Sequence, residues 1–367
     1  MTNNELVASL RLQHIPHIGA TTAKKLITRC GSPAAVFSEK MHQLLQIDGI
    51  GRHTLEELHH SEHLKAAESE MAFIQKHGIG YTYFADDTYP AYLKHCIDGP
   101  ILLFQRGHID LQGRKIISVV GTRSMTPYGR DFCEHFIEEI APLNPIIVSG
   151  FAYGVDICIQ RAAMAHGLQT IGCLAHGLNQ IYPKSHRRYA TLVEQKGGFV
   201  TEFWSTAVPD RENFLRRNRI IAGMSEATIV VESAERGGSL VTADLASGYH
   251  REVFAVPGRV EDLYSKGCNQ LVQSQRAQLL TSAADLVYML GWDLEESNRK
   301  PIQRQLFVEL DDLEKTIYHF LQEEGRQLLD TIALHCRMPV FKATSVLLGM
   351  EMKGVVRPLP GKVFEAI

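Results

Sequence analysis

Glycine, arginine and small hydroxyl residues recur in short clusters through the middle of the chain, a set suited to holding phosphate. The first cluster is Gly121-Thr122-Arg123-Ser124, and the second is Ser149-Gly150-Phe151-Ala152-Tyr153-Gly154. A third runs from His176 to Arg188 and includes Lys184, His186 and Arg187. Asn213-Phe214-Leu215-Arg216-Arg217-Asn218-Arg219 and Glu235-Arg236-Gly237-Gly238-Ser239 complete the series. Glycine permits close backbone approach, and free N–H groups at helix starts donate to anions. Arginine adds charge and a bidentate fork. From Lys184 to Arg219 eight Lys or Arg stand against four acids, within a chain of net charge −3. A local basic surface on a near-neutral body implies a specific polyanion site, not general attraction.

Other chemistries fit less well. No G-x-G-x-x-G follows the first strand, where the sequence reads Gly121-Thr122-Arg123-Ser124-Met125-Thr126, and no P-loop motif occurs. No cofactor is therefore expected. Several phosphate sites in series suit a polymer better than one dinucleotide. The titratable candidates for catalysis are Asp156, Glu202, Glu232, Glu235, His176 and His186. Glu202 and Glu232 are expected to end neighbouring strands as a carboxylate pair. Acids beside several arginines read as their ion-pair partners, and no nucleophile elbow or metal cluster is legible, so no enzyme is expected.

The clusters need elements to bring them together. From about Lys115 short apolar runs alternate with helical patterns: Ile116–Val120, Ile146–Ser149, Thr170–Leu174, Phe199–Thr201, Ala227–Val231 and Glu252–Val256. Between them lie helical Tyr128–Ala141, Val155–His166, His186–Gln195, Asn213–Ala222 and Leu240–Tyr249. Apolar strands spaced by helices predict an α/β, doubly wound, mostly parallel sheet covered on both faces. Each cluster follows a strand, so all five are expected on one rim of the sheet.

The flanks read differently. Ile15 to Leu26 aligns with Ile47 to Leu58, each with an apolar residue before glycine and then a short helix, in the manner of helix-hairpin-helix repeats. Residues 1–75 are thus expected as a helical helix-hairpin-helix or SAM-like domain, and residues 80–293 as an extended Rossmann-like domain. The polar stretch 294–308 reads as a linker, and 309–367 as a winged helix of three helices and a hairpin turned at Pro360-Gly361. Seven scattered cysteines without a C-x-x-C pair predict reduced thiols, with neither a disulfide nor a zinc framework. Met1–Leu10 lacks a signal-peptide pattern, and no apolar run reaches the ~18 residues that span a bilayer. A cytoplasmic protein without a membrane partner is expected.

Taken together, Val119-Val120-Gly121-Thr122-Arg123, Gly150-Phe151-Ala152-Tyr153-Gly154-Val155-Asp156, Gly177-Leu178-Asn179-Gln180-Ile181-Tyr182-Pro183, Arg217-Asn218-Arg219-Ile220 and Arg236-Gly237-Gly238-Ser239 resemble the DNA-processing protein A (DprA, or Smf) family. The resemblance covers about residues 80–290. It implies single-stranded DNA binding, protection of incoming DNA, loading of RecA recombinase in natural transformation, and a homodimer. Carried over by position, the resemblance implies that Arg123, Lys184, Arg216, Arg217, Asn218 and Arg219 hold phosphates, with Gly150, Gly154, Gly237, Gly238 and Ser239 completing the pocket. Gly121, Thr122, Ser149, His186, Arg187 and Asn213, from the same rim clusters, complete the expected DNA-binding set. A side chain near Arg187 is expected to stack on a base. The chain departs from the family pattern at Ala175-His176, Leu215 and Arg276. His176 and His186 are candidates for pH-dependent phosphate contacts. The alternative class is a nucleotide-processing enzyme of the nucleoside-monophosphate phosphoribohydrolase type. A regulator reading duplex DNA through helix Val340–Met352 is a weaker third.

Overall fold

The computed structural model describes residues 1–292, 310–359 and 361–366, so the expected linker 294–308 and Pro360 of the expected turn lie outside the described residues. Met1–Asp293 forms one compact unit and Leu294–Ile367 a second.

The first unit is built on a nine-stranded sheet. Its strands are β1 (Gly80–Tyr83), β2 (Leu102–Gly107), β3 (Ile116–Val120), β4 (Ile146–Ser149), β5 (Thr170–Cys173), β6 (Gly197–Thr201), β7 (Ala227–Val230), β8 (Glu252–Ala255) and β9 (Gln278–Leu279). Their order is β1-β2-β6-β5-β4-β3-β7-β8-β9. β1 pairs antiparallel with β2, and β2 antiparallel with β6; every other pairing is parallel. The central strands are buried along their whole length, because helices cover both faces. Alternation of side chains divides the core in two. Ile116, Val120, Ile146 and Val148 pack with Ile220 and Ala243 of helices Arg211–Met224 and Gly238–Gly248. Ile117, Val119, Ile147 and Ile229 pack with Phe136 and Ile159 of helices Pro127–Ile140 and Val155–Ala165. This is the doubly wound arrangement that the periodicity predicts.

Local chemistry explains the helix starts. Thr126 accepts the Gly129 N–H and Pro127 occupies the first helical turn. Asp210 accepts the N–H groups of Glu212 and Asn213. The N-terminal helices, among them Asn3–His14, Ala20–Cys30 and Ser61–Lys76, pack onto the sheet: Leu10, Leu26 and Leu55 share a core with Phe104, Phe151 and Phe199. β1 lies outside the apolar runs named from the sequence; its antiparallel pairing with β2, Gly80 opposite Gln105 and Tyr83 opposite Leu102, makes it a strand.

The second unit holds helices Asp312–Glu324, Leu329–His335 and Val340–Met352 with a three-stranded sheet, Gln327–Leu328, Val356–Leu359 and Val363–Ala366. Ile317, Phe320, Ile332, Ala343, Leu347 and Val356 form its core. Three helices with a β-hairpin make a winged helix. Among the described residues no helix is long and apolar enough to cross a membrane.

Candidate nucleic-acid interface

The winding of the sheet reverses between β3 and β7, and the crevice beyond the carboxyl ends of those strands is where open α/β sheets bind ligands. A cleft of about 640 Å³ lies there. Gly121, Thr122 and Arg123 after β3, Ala152 and Asp156 after β4, and Tyr182 after β5 line it, with Phe214, Arg217 and Asn218 of helix Arg211–Met224 and Gly237, Gly238 and Ser239 after β7. Segments more than a hundred residues apart therefore meet on one rim.

Backbone bonds sew these loops together. Thr122 donates its N–H to the Glu232 carbonyl at 2.7 Å and accepts the Val155 N–H at 3.2 Å. Gly154 has φ +76°, and a Cβ there would stand 2.1 Å from the Thr122 carbonyl oxygen, so only glycine lets these two loops close. Asp156 accepts the N–H groups of Gly150 and Ala152 at 3.1 and 3.3 Å. Helix Gly238–Gly248 starts at Gly237 without a side-chain cap, which leaves its first N–H groups open to an anion in the cleft.

The arginines divide into two kinds. Arg123 is exposed, its guanidinium 5.0 Å from the Phe214 ring centroid. Arg216 has 60% of its side chain exposed, lies 3.8 Å from Glu202 and lines a separate pocket rather than this cleft. Arg217 is only 4% exposed: it donates to the Gly150 carbonyl at 2.7 Å and to the Cys173 carbonyl, tying two strand ends to the helix. Burial pushes its pKa down and that of Asp156 up, and the attraction between the two opposes both shifts. Arg219 bonds the Asp98 carbonyl and pairs with Glu202.

The remaining expected residues fall into three groups. Lys184 and Arg187 are exposed beside the cleft-lining Tyr182, on the turn Lys184–His186 and the helix Arg187–Lys196, but neither lines the cleft itself. Asn213 supports the helix start, its side chain donating to the Val208 carbonyl at 3.1 Å. Ser149 and His186 face inward: the Ser149 hydroxyl donates to the Val119 carbonyl, and His186 Nδ1 lies 3.0 Å from the Phe151 carbonyl. His176 is also buried, with Nδ1 at 2.9 Å from the Gly177 carbonyl. Burial pushes the pKa of both histidines below its usual value, so at neutral pH neither ring offers charge to a phosphate.

The expected carboxylate pair does not form. Glu202 follows β6 and Glu232 follows β7, and three strands stand between them, a separation of roughly 19 Å at ~4.8 Å per strand. Glu232 instead accepts the Thr126 N–H at 2.9 Å and anchors the start of helix Pro127–Ile140.

Sequence reasoning passed over the aromatic side of the cleft. Tyr182, 41% exposed, lies 5.8 Å from Phe214 between ring centroids, and Arg123 and Arg217 both approach Phe214. An aromatic set among arginines is what stacks bases. Phe214 within Asn213–Arg219 and Tyr182 before Pro183 were the signals.

Comparison with known proteins adds to this geometry. The family model described as DNA recombination-mediator protein A matches residues 80–291, and the DprA winged helix domain model matches residues 304–362. The chain is 33% identical over 300 residues to protein Smf of Escherichia coli (strain K12), which spans 81% of this chain and 80% of that protein. It is 38% identical over 218 residues to the DNA processing protein DprA of Bacillus subtilis, covering 59% of this chain and 73% of the relative. The X-ray structure of DNA processing protein A from Streptococcus pneumoniae superposes with a TM-score of 0.62 at 30% identity, over 78% of this chain and 98% of that one. The Helicobacter pylori protein, whose structure was described for its single-stranded DNA binding mode, gives a TM-score of 0.52 at 28% identity, over 57% and 95%.

Proposed function

The chain belongs to the DNA recombination-mediator protein A family, the DprA and Smf proteins, and from that premise we propose that it binds single-stranded DNA through backbone phosphates, without sequence preference and without catalysis. The observation that carries this reading is the cleft at the β3–β7 reversal, where glycine-lined loops, an uncapped helix start and Arg123 meet Tyr182 and Phe214. Charge and open N–H groups fit phosphates; the rings fit unpaired bases and not a closed duplex. The basic surface continues past the cleft through the exposed Lys184 and Arg187. A strand longer than one nucleotide is its natural ligand. The reading includes protection of incoming DNA in the cytoplasm, transfer to RecA recombinase in natural transformation, and a homodimer as the working form.

The test is a gel-shift titration of oligo-dT against its duplex at two salt levels, for the unaltered chain and Arg123→Ala. Binding should favour the single strand, weaken as salt rises and fall in the variant. Equal binding of duplex, or release of free base from added nucleoside monophosphates, would overturn it.

A further inference from the structure

Away from the cleft, the second helix-hairpin-helix-like repeat ends in a cluster with different chemistry. Glu57, His60 and His63 each offer one ligand atom, and these atoms all lie within 4.8 Å of one another. Glu57 Oε2 lies 3.1 Å from His60 Nδ1 and 3.3 Å from His63 Nε2. A tetrahedral zinc ion with bonds of ~2.0–2.1 Å sets its ligand atoms ~3.3–3.4 Å apart, which the two edges from Glu57 approach, and the His60–His63 edge, within 4.8 Å, closes to that length on binding. We propose that Glu57, His60 and His63 bind a divalent transition metal, with zinc as the best match, and that the metal clamps the turn Glu57–His59 to the start of helix Ser61–Lys76.

The surroundings favour this. The His63 side chain is 2% exposed, and its other nitrogen, Nδ1, lies 2.8 Å from His14 Nδ1. A ligating imidazole needs such a partner to fix its tautomer and orientation. His14 is itself held against Trp204, ring centroids 5.1 Å apart, and Trp204 Nε1 donates to Gln13 at 3.1 Å. His60 is 55% exposed, so the fourth coordination position opens to solvent. Two imidazole nitrogens and one carboxylate oxygen select zinc-like ions over calcium or magnesium, which take oxygen donors. Nothing in the sequence pattern named these residues, since Glu57-x-x-His60-x-x-His63 spans a break between two helices.

Bound metal also reverses a proton. With metal on His63 Nε2, the Nδ1–H must donate to His14. Without metal, His63 Nε2–H donates to Glu57 and His14 donates to His63.

The experiment uses the full chain, stripped with EDTA, titrated with Zn²⁺ against a chromophoric indicator and with Co²⁺ for its visible spectrum. One Zn²⁺ per chain should bind, Co²⁺ should give the intense bands of a tetrahedral site, and zinc should raise the melting temperature. Glu57→Gln and His60→Ala, both at partly exposed positions, should keep the circular-dichroism spectrum of the unaltered chain and weaken zinc more than about 100-fold. His14→Phe, which removes only the supporting bond, should weaken it about 10–100-fold. Failure of the unaltered chain to compete for one equivalent of zinc would overturn the site. Unchanged affinity in both ligand variants would do so equally, by assigning the metal to other histidines or to cysteines.

Discussion

Arg216 and Arg217 are neighbours on one helix, yet one is mostly in water and the other is sealed beneath the cleft. The same contrast runs through the whole interface. Arg123, Lys184, Arg187 and Arg216 form an exposed rim, whereas Arg217 and Arg219 are spent on Gly150, Cys173, Asp98 and Glu202. An inward arginine costs desolvation and keeps its charge only because carbonyls and a carboxylate surround it. Its work is to hold strand ends and loops in place. A rim arginine contributes little to the fold and keeps its guanidinium at the surface, although Arg216 also reaches Glu202 at 3.8 Å.

The largest effect should come from breaking the inner set. Arg217→Ala leaves Asp156 buried without its counter-charge and two carbonyls without a donor; it should cost about 3 kcal/mol of stability, read from urea unfolding. Arg123→Ala should be its mirror image. Stability should stay within about 0.5 kcal/mol, while DNA affinity falls by about 1.5–3 kcal/mol and the salt slope by about one. If Arg123→Ala unfolds the protein, or Arg217→Ala leaves stability untouched, the division into rim and interior fails. Phe214→Leu keeps apolar bulk but removes the ring between the two sets. It should cost about 1 kcal/mol of single-strand affinity at either salt level, measured by fluorescence anisotropy.

The smallest effect concerns pH. His176 and His186 have pKa values below that of an unfolded histidine, ~6.5, so the unfolded chain binds more protons just below that pH. Their contribution is complete above pH ~6.5 and is lost as pH falls toward their folded values, by at most about 1.4 kcal/mol per pH unit for each group. His186→Phe should flatten the urea midpoint between pH 7.5 and 5.5 without changing DNA affinity at neutral pH. A loss of neutral-pH affinity would move His186 from the interior to the rim.

The sheet and four crest loops were legible because each signal is local: a buried parallel strand is a short apolar run, and a loop at its end is a cluster of glycine and small polar residues; the fifth cluster, Asn213–Arg219, is a helix. Which way a side chain turns was not legible. Arg216 and Arg217 are identical letters, and the helix rotation that separates them depends on packing against Ile146–Ser149 and its neighbours. Strand order also lies outside local pattern, which is why Glu202 and Glu232 read as neighbours until three strands stood between them. The Glu57 cluster escaped for a further reason: its residues converge across a break between helices, where no single periodicity applies.

One contact sets a limit on how this rim can evolve. The Thr122 carbonyl occupies the space that any side chain at position 154 would need. In a library randomised at that codon and selected for folded protein, glycine alone should survive. The loop after the second parallel strand can therefore vary in what it displays to a ligand, at Tyr153 for instance, but not in how it enters the following helix.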